Sequence, residues 1–165
     1  MDKFLTFTII GVCAAGTFAI AASGLVLTYT TTGIFNFAHG AIAMLGAFAY
    51  WQIRSPEAWG WPAPIAAFIV LFVLAPLLGI LLEVGIMRGL QDTSETTKLV
   101  VSISLLAAFL GLGRWIWPED DPHPISKFFD GHTAHILGVN IDWHDLIALF
   151  LAILVAIGLR LLLYH

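Results

Sequence analysis

Four long stretches of the chain carry no Asp, Glu, Lys or Arg: residues 4–53, 58–82, 99–113 and 146–159. A helix rises 1.5 Å per residue and needs about 20 apolar residues to cross roughly 30 Å of hydrocarbon. The first stretch is too long for one crossing and long enough for two, and Thr28-Tyr-Thr-Thr-Thr-Gly33 interrupts it near its middle. The pattern predicts an all-α, polytopic transmembrane helical bundle. Its five spans fall at about 5–29, 35–53, 63–83, 98–117 and 144–164, with a break near residues 28–36.

An N-terminal apolar run can also be a cleaved signal peptide. Here the charged flank is only Lys3 beside Asp2, the run is too long, and apolar sequence resumes directly after it. The tryptophans support the span count independently. Trp51, Trp59, Trp61, Trp115, Trp117 and Trp143 all fall at predicted span ends or just outside them, where amphipathic rings settle at the lipid headgroups.

Within the first span Gly11, Ala15, Ala19 and Ser23 recur every four residues. That row of small side chains predicts a packing face, because close backbone approach drives helix association in lipid. Pro76 inside the third span removes a backbone donor and predicts a kink. Residues 84–97 read as a hydrophilic loop, with Glu83 at the end of the third span either facing the interface or paired with Arg88. Residues 118–143 read as a long acidic, proline-bearing extramembrane loop with a small hairpin near His135 to Ile141.

Composition agrees and excludes other classes. The chain is 59% hydrophobic and 11% charged, against about 45–50% and about 25% for soluble domains. Disorder requires the opposite balance. Across 165 residues the five spans leave no room for a sizeable soluble domain, so one transmembrane domain, 1–165, is expected. The net charge of −4 and singly scattered basic residues argue against a nucleic-acid partner. The one cysteine, Cys13, sits in an apolar run and reads as a small hydrophobe. His132 and His135 have ligand-like separation, with His123, His144, Asp130 and Asp142 near them in sequence. They are spread over a loop without a fixed scaffold, so a solvated loop is the better reading and neither metal nor other cofactor is expected. Without a GxxxxGK[ST] loop, any ATP use would belong to another chain. No nucleophile and base come together in the pattern, so no catalytic residue is assigned.

Polar residues at membrane depth concentrate in Thr30-Thr-Thr-Gly-Ile-Phe-Asn-Phe-Ala-His-Gly40. Asn36 and His39, three residues apart, share a helix face that Ala43, Gly46 and Ala47 continue. Such a face looks at other helices or a wet cavity, since polar groups facing lipid lack partners. Gly33 and Gly40 bracket the cluster and suit a helix break or a close backbone approach. Two readings stand side by side. In one, Asn36 and His39 line a gate or pathway at a discontinuous helix end. In the other, Asn36 caps the second helix and His39 bonds across an interface.

The ordered motif Thr32-Gly-Ile-Phe-Asn-Phe-Ala-His-Gly40, preceded by Gly24-Leu-Val-Leu-Thr-Tyr29 and followed by Met44-Leu-Gly-Ala-Phe48, resembles the opening of the branched-chain amino-acid ABC transporter permeases. Glu83, Met87-Arg-Gly-Leu90 and Thr97-Lys-Leu-Val-Val-Ser-Ile-Ser-Leu105 are similar too, although Gly89 and the acidic 92–95 segment depart from the proline and basic residues usual there. The resemblance implies an inner-membrane permease subunit in the lipid bilayer and no enzyme. Its implied partners are a second permease subunit or copy, cytoplasmic ATPase subunits and an extracytoplasmic substrate-binding protein. It implies branched-chain amino acids or related amides or urea as cargo, with Asn36, His39, Gly33, Gly40, Thr32 and Phe37 as pathway residues. It also implies that 84–97 and the chain end face the cytoplasm and that 54–62 and 118–143 face outward. The family continues through further helices, so an N-terminal portion truncated before the ATPase-docking loop is expected. Two other classes are weighed against it: a small channel or ion-coupled carrier titrating at His39 without an ATPase, and an integral-membrane enzyme using His39, Glu83 or the loop histidines.

Overall fold

The computed structural model describes residues 3–56, 58–118, 123–125, 129, 131–136 and 139–164. Most of the segment between Pro118 and the hairpin, including Asp130, lies outside the described residues. Five helices carry the fold: α1 (Lys3–Thr32), α2 (His39–Arg54), α3 (Ala63–Leu90), α4 (Glu95–Ile116) and α5 (Trp143–Tyr164). Strands β1 (Thr133–Ile136) and β2 (Val139–Asp142) pair antiparallel just before α5, placing the expected hairpin with Thr133 opposite Asp142.

Four of these helices, α1, α3, α4 and α5, are long and apolar enough to cross a membrane. At 16 residues α2 is about 24 Å long, shorter than the second predicted span. The helices bury few side chains and leave large apolar ones such as Phe18, Leu71, Phe150 and Leu162 exposed. In water that surface would be a liability; in lipid it is the expected outer face.

The boundaries differ from the sequence reading for identifiable reasons. The threonine run does not break α1. Thr28, Thr30 and Thr31 donate their hydroxyls to the carbonyls of Gly24, Val26 and Leu27 at 2.9, 2.9 and 2.8 Å, satisfying themselves on the helix. The break comes later, at Gly33, whose φ of 67° ends α1 in the left-handed region. The loop expected over 84–97 shrinks to residues 91–94, because α3 continues through Leu90 and Ser94 caps α4, its Oγ accepting from Thr97 N–H at 3.2 Å.

Helix α3 absorbs its proline without unravelling. Val70–Leu74 forms a π-helical turn in which Ala75 N–H reaches back to Val70 C=O, immediately before Pro76. A widened turn there relieves the ring's clash with the preceding turn. A second π turn, Glu83–Met87, relates Glu83 and Arg88 through the backbone, Arg88 N–H donating to Glu83 C=O. Of the two alternatives for Glu83, the side-chain ion pair with Arg88 is not formed; Glu95 pairs with Lys98 at 3.3 Å.

Contacts divide the chain into two compact units, Met1–Thr31 with Ser126–His165 and Thr32–Ile125. In the first, α1 approaches α5 closely at Gly16: a Cβ added there would lie 2.6 Å from Leu149 Cα. Cys13 is buried beside Ile141, with Ile9, Leu146 and Leu149 packed around them. The row expected to pack, Gly11, Ala15 and Ala19, is exposed instead, and Ser23 Oγ turns back to Ile20 C=O at 2.7 Å. Gly16 lies on a neighbouring face of the helix, and a spacing-of-four rule cannot tell one small-residue row from the next.

In the second unit α2 and α3 form an antiparallel hairpin around Tyr50, Ile53, Ala66 and Val70. Helices α2 and α4 run side by side in the same direction, as alternate spans must. Met44 packs over Gly113, and further along Gln52 Oε1 accepts from Trp117 Nε1–H at 2.9 Å. Phe48 stacks on Trp117 with ring centroids 5.3 Å apart, and the His123 ring meets Trp51 edge to face at 4.3 Å.

Candidate functional site: the break between the first two helices

Residues 33–38 form no regular element, and their backbone groups must find partners outside a helix ladder. Several do so through a specific side chain or turn. Ile34 N–H donates to Thr32 Oγ1 at 3.2 Å, and Ala38 N–H donates to Asn36 Oδ1 at 3.0 Å. His39 N–H donates to Asn36 C=O at 3.2 Å, closing the turn that opens α2. Thr32 and Asn36, both singled out in the sequence, therefore act first on the backbone of the break. Asn36 closes an Asx-type turn; the N-cap position of α2 is Ala38, and no side chain caps that helix.

The remaining bonds come from a distant residue. Ser102 on α4 is fully buried; its Oγ donates to Phe35 C=O at 3.1 Å and accepts from Phe37 N–H at 3.0 Å. A continuous helix would instead pair Phe37 N–H with Gly33 C=O and Phe35 C=O with His39 N–H. One hydroxyl thus replaces one partner of each of two helical bonds. Sequence reasoning placed Ser102 in a span and left it there. The contact joins residues 65 and 67 positions apart, a separation that no local pattern encodes.

The side chains of the break alternate in environment. Ile34 and Ala38 are buried, Asn36 and His39 half-buried, and Phe35 and Phe37 exposed with ring centroids 4.7 Å apart. Gly40 lies inside the first turn of α2, and an added Cβ there would meet nothing within 4 Å, so within this chain it makes neither a break nor a close approach. Beside the break is an open cavity of about 240 Å³ lined by Phe35, Glu95, Thr96, Lys98 and Leu99.

Four apolar helices of spanning length mark a multi-pass membrane protein, and side-chain hydrogen bonds hold the non-helical segment that precedes α2. The family model for the branched-chain amino acid transport system permease component matches residues 7–165, and the chain belongs to that family. It is also similar to the high-affinity branched-chain amino acid transport system permease protein LivH of Escherichia coli K12 and to its namesake in E. coli O157:H7. Each is 27% identical over 100 residues, covering 58% of this chain and 32% of the relative. The match thus spans about a third of those relatives' length. No solved structure matches the chain.

Proposed function

We propose that this chain is a membrane-spanning subunit of an ABC importer for branched-chain amino acids or related small solutes, and that its helix break forms part of the translocation pathway. The observation that carries the reading is that the TGIFNFAHG stretch on which the resemblance rests contains the non-helical segment before α2, in a chain whose residues 7–165 match the permease family. Asn36 and His39 stand at the mouth of α2, Gly33 sets the turn, and Thr32 and Phe37 complete the segment. Unwound backbone is tolerated at membrane depth where it is buried in protein or lines a cavity, and this segment borders one. Gly40, open to space on α2, leaves room for cargo or a partner helix.

The chain carries no covalent chemistry in this reading. It alternates between access states driven by ATPase subunits, beside a second permease subunit or copy, and receives cargo from an extracytoplasmic binding protein. The chain sits in the cell's inner membrane with residues 91–94 toward the cytoplasm. Uptake of radiolabelled leucine, isoleucine and valine by membrane vesicles containing the assembled transporter tests this. Uptake that requires internal ATP and binding protein supports the importer. Uptake that persists without nucleotide points to the channel or ion-coupled carrier.

A further inference from the structure

We propose that Ser102 is the positioning residue of the pathway segment: its single hydroxyl, bonded at once to Phe35 and Phe37, keeps residues 33–38 unwound and ties their movement to α4. The functional consequence rests on the transport reading above; the positioning itself does not.

The argument begins with what the segment would do without the hydroxyl. Phe35 C=O and Phe37 N–H are part-buried against the fully buried Ser102 hydroxyl, and a polar group left without its partner there carries a desolvation penalty. The nearest alternative partners are Gly33 C=O and His39 N–H, reached by winding the segment into helix. Gly33 allows either conformation, since glycine occupies both left- and right-handed regions readily. The hydroxyl of Ser102 therefore favours the unwound arrangement of residues 33–38 over a helical one. Ser102 is suited to the task because a hydroxyl can donate and accept together, whereas a carbonyl or an ammonium cannot. It also lies two helical turns beyond Glu95 on α4, so a shift of α4's first turns is transmitted directly to the segment that presents Asn36 and His39.

A size-controlled set of variants tests this in the assembled transporter. Ser102→Thr keeps the hydroxyl; Ser102→Val has the same shape as threonine without it; Ser102→Ala removes it without added bulk. Each is combined with Cys13→Ala and a reporter, either Phe37→Cys in the break or Ile103→Cys as a control on the exposed side of α4. The readouts are the rate of maleimide labelling and the initial rate of leucine uptake by the Ser102 variants without reporters. Labelling at position 37 falls roughly tenfold in the Ala and Val variants and returns to the wild-type rate with Thr, while position 103 is unchanged; uptake falls by a similar factor and is restored by Thr. Labelling at 37 that ignores the hydroxyl, or that changes equally at 103, overturns the proposal. If the wild-type assembly takes up no branched-chain amino acid but labelling still follows the hydroxyl, the transport reading fails and the positioning role stands.

Discussion

Ser102 Oγ lies 3.0 Å from Phe37 N and 3.1 Å from Phe35 O, so a side chain on the fourth helix completes the backbone of the junction between the first two. The motif residues around that junction become interpretable only with this partner in place. Four expectations follow for residues of the break and of the first helix.

Gly33 holds φ at 67°. Gly33→Ala should destabilise the protein by about 1–2 kcal/mol, the cost of a left-handed conformation for an L residue, although nothing obstructs the added methyl. Thermal unfolding in detergent measures this. An unchanged midpoint would mean that the turn relaxes freely.

Asn36 donates nothing to the turn in this arrangement; it accepts, through Oδ1, from Ala38 N–H. Asn36→Ala should cost about 1 kcal/mol, and Asn36→Asp should retain most of that bond. A stability ranking of Asn, Asp, then Ala supports the contribution of the Asx turn. Equal stability of all three contradicts it.

His39 opens α2 half-buried. Replacing it with leucine should leave membrane insertion intact while lowering leucine uptake by about tenfold, the scale of one lost polar interaction in a dry site. Wild-type uptake by His39→Leu would remove His39 from the pathway.

Gly16 and Gly11 separate the two faces of α1. Gly16→Val should destabilise by about 1–3 kcal/mol because its Cβ would collide with Leu149 backbone atoms 2.6 and 2.7 Å away, whereas Gly11→Ala meets open space. Comparing their detergent melting curves decides whether packing uses the Gly16 face. A larger loss at Gly11 would show that the Gly11, Ala15, Ala19 row is engaged by another chain.

The helices were legible because lipid demands long uncharged runs, and four such runs placed every helix within a few residues except at specific side chains. Thr28 to Thr32 read as a break and are helical, since their hydroxyls can bond the helix's own carbonyls. Residues 84–90 read as loop and are helical, because neither Gly85, Gly89 nor Arg88 stops a helix by itself. The candidate site was legible as a cluster, Thr32 to Gly40, and Thr32, Asn36 and Gly33 each proved to have a defined place in its backbone. Its fourth support, Ser102, was not legible.

The sequence by itself determined a polytopic helical membrane protein, its polar interruption and its family, since these depend on the order of apolar and polar residues along one chain. Tertiary structure alone decided which small residue lets α1 meet α5, where the interruption begins, and which distant hydroxyl holds it open. Those outcomes depend on backbone groups seeking partners across 65 or more residues, and hydrogen-bond satisfaction of that kind is a property of packed elements in three dimensions.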